Sequence, residues 1–207
     1  MLLTPPHKQY LTTKLQSGER RLHFYEKGQQ IPLFGEGIWR VSHGFVQLMK
    51  VSHQGDETWL GWAQGDDFFG LWLTSLNSIQ ARALSDLYLQ WYSLQEIESS
   101  PQIAQLCLNQ MVLKVRQTEE LLAIAGLKRV EEKLMELLNL LSRYVGEEMN
   151  NGIRISVRFT HQHLASAIGT TRVTVTRLLG DLQRQGLIFF DESRHLVVKS
   201  NSCGLIN

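Results

Sequence analysis

From Arg21 to about Ser93, apolar residues come in short stretches rich in β-branched and aromatic side chains, broken by Gly28, Gly35, Gly37, Gly44, Gly55, Gly61, Gly65 and Gly70. Turn signals at about every 8 to 12 residues predict an antiparallel sandwich or small barrel. Val46 and Leu48 alternate with Gln47 and Met49 as a strand of period two, and His53-Gln54-Gly55-Asp56 suits a hairpin tip before Trp59, Leu60 and Trp62. All five tryptophans fall in this segment, where they are read as the bulk of a barrel core rather than as a ligand cage.

The period changes at Ser99-Ser100-Pro101, a helix start with proline at its first position, and no Gly or Pro then interrupts until Gly126. Ile103, Leu106, Gln110, Leu113, Gln117, Leu121 and Ile124 recur at three and four as a narrow stripe, too long for one small domain to cover. The expected cover is the same helix of a second copy. A shorter amphipathic helix follows, with Val130, Leu134, Leu137, Leu138, Leu141 and Val145 on one face, and ends at Gly146. Gly126, between the two helices, suits a hinge, and a strand is expected over Ile153–Val157.

Thr160 then caps a short helix whose inner face is Leu164, Ala165 and Ile168, Gly169 permits a left-handed turn, and Thr171 caps a second helix with Val175, Leu178 and Leu179 inward. Arg172, Val173 and Arg177 project from the start of that second helix, the geometry that carries side chains to base edges in a major groove. Leu187-Ile188-Phe189-Phe190, the turn Asp191-Glu192-Ser193-Arg194, and His195-Leu196-Val197-Val198-Lys199 read as a β-hairpin wing. The fold class is therefore α+β: an amino-terminal antiparallel β-barrel over residues 1–98, a long dimerisation helix over 99–127, and a carboxyl-terminal winged helix-turn-helix over 128–207.

Composition narrows the function. The 207 residues carry a net charge of +1 and are 43% hydrophobic, which excludes a mainly disordered chain and a globally basic one, so a nucleic-acid site has to be local. From Arg154 to Lys199, Arg154, Arg158, Arg172, Arg177, Arg184, Arg194 and Lys199 stand against Asp181, Asp191 and Glu192, and the rest of the chain is net acidic. A basic module on an acidic body presents one face to DNA and not another. Cys107 and Cys203 are too few for a disulfide framework or a metal cluster and suit a reducing cytosol. The amino-terminal residues lack a secretory pattern and no apolar run reaches about 18 residues, so a cytoplasmic protein without a membrane partner is expected.

Thr171-Arg172-Val173-Thr174-Val175-Thr176-Arg177-Leu178-Leu179-Gly180-Asp181-Leu182, with Gln117-Thr118-Glu119 in the long helix, resembles the CRP/FNR family of bacterial transcription regulators, above all its cyanobacterial nitrogen-regulating branch. Tyr25-Glu26-Lys27-Gly28-Gln29-Gln30-Ile31 and Gly65-Asp66-Asp67-Phe68-Phe69-Gly70 are similar to weaker family signatures. The resemblance covers nearly the whole chain and implies a homodimer that binds double-stranded DNA and contacts RNA polymerase. It makes Arg172, Val173 and Arg177 the base readers, with an apolar Val173 favouring a thymine methyl and a half-site of GTA facing TAC. Thr160, Gln162, Thr171 and Thr174 match phosphate-contacting positions, and each also suits local capping.

The same resemblance places a possible effector pocket at Phe69, Gly70, Leu71, Trp72, Arg82, Thr118, Glu119 and Lys128. Cyclic AMP is not expected there: Gly70 is followed by Leu71-Trp72-Leu73-Thr74 without the family's Glu and Arg, and a buried phosphate would lack compensation. The nitrogen-regulating branch implies 2-oxoglutarate, for which only Arg82 and Lys128 are offered. No other cofactor and no metal is expected. Two alternatives stay open: an effector-independent DNA binder whose pocket is plugged by side chains, and a cupin-like metalloenzyme, against which the barrel's scattered histidines argue.

Overall fold

The computed structural model describes residues 20–199; the outer ends of the first and last expected modules, and Cys203, lie outside it. The amino-terminal region holds β1 (Leu22–Tyr25), β2 (Gln30–Ile31), β3 (Gly37–His43), β4 (Val46–Val51), β5 (Glu57–Ala63), β6 (Phe68–Phe69), β7 (Ile79–Ala83) and β8 (Leu87–Ser93). They form two antiparallel four-stranded sheets, β1-β8-β3-β6 and β2-β7-β4-β5, with no ladder joining them. The expected barrel is thus a double-sheet sandwich that does not close, and the edge strands β2 and β6, two residues each, are too short to carry the pairing round. Between the sheets lie Ile31, Trp39, Val41, Val46, Leu48, Phe69, Leu87 and Leu89, with the smaller Ala63, Ala81 and Ala83.

The outer face of β4 and β5 is unusual. Leu48 pairs with Gly61 but Met49 with Trp59, so Leu60 is an extra residue, a β-bulge. Strict alternation would send Trp59 and Trp62 to opposite faces; the bulge returns both to the outer one, with ring centroids 5.9 Å apart. Two of the tryptophans assigned to the barrel core therefore belong elsewhere, while Trp39 stays inside with Trp91 packed beside it.

A capping box between Ser93 and Glu96 starts α1 (Leu94–Ser99), a short helix the sequence pattern did not suggest. Ser100 caps α2 (Pro101–Gly126), with Pro101 in its first turn. The stripe expected as the seam is partly engaged within the chain itself. Gln117 and Ile124 are buried, Ile103 and Leu106 pack against the sandwich and α1, Leu121 packs against the shared core, and Gln110 and Leu113 are half-buried. This stripe is covered by the chain itself because α2 lies along β5 and β6. A second stripe, one position round the helix, is open: Leu108, Val112, Val115 and Leu122 are 47% to 72% exposed.

α3 (Val130–Val145) buries Leu134, Leu137, Leu138, Leu140 and Leu141. The polar stretch after it holds β9 (Gly146–Met149), paired with β10 (Gly152–Ile155); α4 (His161–Ile168), α5 (Arg172–Arg184), β11 (Ile188–Phe190) and β12 (Leu196–Val198) complete the chain, in a sheet ordered β11-β12-β10-β9. One core runs through all of this and into the sandwich: Phe45, Trp59, Trp62 and Leu84 join α3, α4 and α5. Phe159 stands edge-on to Phe45 at 5.7 Å, and Tyr144 edge-on to Trp62 at 5.5 Å. Among the described residues no helix is long and apolar enough to cross a membrane.

Candidate nucleic-acid interface

Thr160 Oγ1 accepts from His163 N at 3.1 Å while His163 Nδ1 accepts from Thr160 N, closing a capping box that fixes the start of α4. Gly169 ends it in the left-handed region (φ 68°), where glycine alone adds no steric cost. Thr171 Oγ1 then accepts from Thr174 N at 3.2 Å and starts α5. Leu164, Ala165, Ile168, Val175, Leu178 and Leu182 are buried, so the two helices are held by their inner faces and the outer face of α5 is free.

On that outer face Val173 is 78% exposed, a large apolar group with no partner in the fold, beside Arg172, which is exposed and makes no ion pair or side-chain hydrogen bond among the described residues. Arg177 is exposed one turn on and approaches Asp181 at 3.6 Å. Thr176 Oγ1 donates to Arg172 O at 2.9 Å, so the His161 ring nitrogen 2.7 Å away donates to Thr176 and ties α4 to α5. Thr160, Gln162 and Thr171 are exposed and Thr174 half-exposed. The base-reading and phosphate-contacting candidates are thus exposed or half-exposed on α4, α5 and the residues that cap them.

The wing is fastened behind this surface. Arg154 on β10 binds Asp191 through Nε (2.7 Å) and Glu147 through Nη1 (2.8 Å), and its Nη2 lies 2.8 Å from His195 Nδ1. Asp191 also accepts from His195 N, and this hydrogen bond, then Arg154, holds its carboxyl below the usual carboxylate range. Arg154 belongs by sequence to the basic module, but in the fold it holds the wing.

The residues proposed for an effector do not converge. Phe69 is buried between the sheets, and Gly70 lies so close to Ile38 that a Cβ there would stand 3.0 Å from its Cγ2. Leu71 and Trp72 form a one-turn 3-10 helix with Trp72 about half exposed, so they do not plug the sandwich. Arg82 pairs with Glu57 at 3.0 Å, on the strand face that meets α4; Thr118 donates to Lys114 O and is exposed, as are Glu119 and Lys128. Arg82 is thus already paired, and Lys128 is exposed beyond the end of α2.

The polar residues that do converge between α2 and the sandwich were missed. Lys114 Nζ donates to Trp62 O and to Gln117 Oε1, both at 2.7 Å, and burial pulls its pKa down to about 8 against the opposing effect of Asp67. Burial raises Asp67 to about 6, while its hydrogen bond from Gln64 N and the charge of Lys114 act the other way. Gln64 Nε2 in turn donates to Tyr144 O. The only trace in the sequence is a charged residue, Lys114, set within the inner stripe of α2. Among the described residues no group of three His, Cys, Asp or Glu stands together as metal ligands would.

A double-sheet domain, a long helix with one open apolar stripe and a winged helix-turn-helix with an exposed arginine-bearing helix define a DNA-binding regulator. The Crp-like helix-turn-helix domain family matches residues 128–201. The chain is 31% identical over 201 residues to the regulatory protein CysR of Synechococcus elongatus, covering 95% of this chain and 90% of the relative. It is 30% identical over 195 residues to the global nitrogen regulator of the same organism, covering 87% of this chain and 88% of the relative. Solved structures with the same fold include FixK2 from Bradyrhizobium japonicum (TM-score 0.72, 21% identity, 87% of this chain and 92% of that one). A CRP/FNR-family regulator from Thermus thermophilus gives TM-score 0.72 at 21% identity, over 88% of this chain and 96% of that one. The chain belongs to the CRP/FNR family of transcription regulators, and is a DNA-binding protein rather than an enzyme.

Proposed function

We propose that the protein is a cytoplasmic homodimer that reads a two-fold symmetric DNA site, with Arg172, Val173 and Arg177 at the base edges and Thr160, Gln162, Thr171 and Thr174 on the phosphates. The observation that carries this reading is the pair Arg172 and Val173, exposed together at the first turn of α5 with neither tied into the fold. Arginine spans O6 and N7 of guanine and an apolar neighbour suits a thymine methyl, so the half-site is GTA facing TAC. The open stripe Leu108, Val112, Val115 and Leu122, with Glu119 completing its spacing of four and three, is the seam: it is the spacing of a two-stranded coiled coil. Paired along it, two copies set their recognition helices about 34 Å apart, one turn of DNA.

A second reading concerns the effector. The space between the sheets is filled by side chains and the candidate ligands are dispersed, which favours DNA binding without a cyclic nucleotide or 2-oxoglutarate. Contact with RNA polymerase is carried by the family likeness alone. Selection of duplex DNA by the purified protein, at near-physiological salt and with no small molecule, tests both readings. Enrichment of a GTA-to-TAC palindrome is expected; enrichment only with 2-oxoglutarate present overturns the second reading, and none under either condition overturns the first.

A further inference from the structure

We propose that Asn151, at the tip of the β9–β10 hairpin, is a site of spontaneous covalent modification: deamidation through a cyclic imide, with an isoaspartyl product that loosens the wing. Asn151-Gly152 is the single Asn-Gly step in the 207 residues, and asparagine is among the thermally labile side chains. Glycine at the next position makes the step reactive, because no Cβ shields its backbone nitrogen from the asparagine amide carbon. The fold admits no other residue there. Gly152 has φ +151°, and a Cβ on it would stand 2.2 Å from Val198 O. The close packing of β10 on β12 therefore imposes the glycine, and the labile step with it.

The tip is also free to react. Glu147, Glu148, Met149, Asn150 and Asn151 are exposed, and β9 is an edge strand whose only ladder partner among the described residues is β10. A hairpin held from one side opens more often than the centre of a sheet. The reaction needs water alone. Gly152 N attacks Cγ of Asn151, a C–N bond forms, and the side-chain nitrogen leaves as ammonia, taking the proton of the Gly152 amide. Water then opens the ring at Cγ to give aspartate, or at the Asn151 carbonyl carbon to give isoaspartate. No electrons are exchanged, and amide plus water become carboxylic acid plus ammonia. Both products add a negative charge; only isoaspartate adds an atom, the former Cβ, to the backbone.

That extra atom enters the chain close to the anchor of the wing. Ile153 pairs with Glu148 on one side and Val198 on the other, and Arg154 with Glu147 and Val197. Arg154 binds Glu147 at 2.8 Å and holds Asp191 of the wing turn at 2.7 Å. With Gly152 against Val198 O, the strand has no slack on the β12 side, so the lengthened turn displaces the β9–β10 register and takes Arg154 from one of its carboxylates. The wing turn then loses its fastening. The inference does not depend on what α5 reads.

The full chain is kept in warm buffer and sampled over time, with ammonia release, peptide mass mapping and isoaspartyl methyltransferase labelling as readouts. Modification is expected at Asn151 ahead of every other asparagine, and not in Asn151→Gln, whose longer side chain closes the ring far more slowly. The isoaspartyl fraction, separated by chromatography, should show amide hydrogen exchange in β11 and β12 about tenfold faster than the unaged chain, the effect of one lost charged hydrogen bond. Asn151→Asp, which has the charge without the extra atom, should exchange as the unaged chain does. An Asn151 that stays intact in the folded chain overturns the site. Unchanged exchange in the isoaspartyl fraction, or equally fast exchange in Asn151→Asp, overturns the link to the wing.

Discussion

Arg172 and Val173 are adjacent, but they answer to different physics and should fail differently. Arg172→Ala removes a bidentate donor, so about 1 to 3 kcal/mol should be lost on the selected site and little on random duplex. Thr174→Ala, at a proposed phosphate contact, should weaken both DNAs alike. Val173→Glu replaces a methyl-seeking group with an acceptor, so the selected half-site should exchange thymine for cytosine at the facing position. Binding assays on a panel of single-base variants separate the three, and equal losses on specific and random DNA would remove Arg172 from base reading.

At the scale of elements, α2 carries two apolar stripes and only one can face the sandwich. The spacing singles out Ile103, Leu106, Gln110 and Leu113, whereas Leu108, Val112, Val115 and Leu122 recur at four, three and seven with Glu119 between; what separates the two stripes is the sheet lying beside the helix, which periodicity does not contain. Leu122→Glu, at a position 72% exposed, should leave the fold intact and yield a monomer by sedimentation, since it removes an apolar seam contact and adds a second pair of like charges to that of Glu119. A dimer of unchanged strength would return the seam to the inner stripe. The inner side has its own signature. Folding raises the Asp67 pKa from 3.8 to about 6, so the folded state holds that proton more tightly and stability falls as pH rises through this window. Relative to Asp67→Asn, the unmutated chain should lose on the order of 3 kcal/mol between about pH 4 and pH 6 in urea unfolding.

Local elements were legible in the sequence wherever their causes are local. Ser100-Pro101, Thr160, Gly169 and Thr171 mark helix ends by chemistry that acts within a turn, and the structure has helix ends at each. The bulge at Leu60, the destination of Trp59 and Trp62, and the converging Lys114 and Asp67 depend on partners far along the chain, and single-sequence spacing does not reach that far. The effector candidates are carried over from a resemblance rather than read from contacts in the chain, and one of them, Arg82, pairs with Glu57.

For the whole molecule, the reader is not a free appendage of the sandwich. Phe45, Trp59 and Trp62 share a core with Phe159 and Tyr144, and the outer strand face that carries Arg82 meets α4 through His163, whose pKa is lowered by burial and then by Arg82. Trp62→Ala should therefore cost about 3 to 5 kcal/mol and split one cooperative unfolding transition into two, sandwich and reader separately. A single transition at lower temperature in calorimetry would mean that other contacts keep the two coupled.

The indoles of Trp59 and Trp62 also make the molecule its own optical gauge. Both are buried in the core they share with the reader, whereas Trp39 and Trp91 pack within the sandwich and Trp72 is half exposed. Any displacement of the reader admits water to two of the five emitters, so intrinsic fluorescence should shift to the red in proportion to the displaced fraction, with no label attached. Titrating DNA while recording that emission reports whether binding leaves the joint shut or opens it.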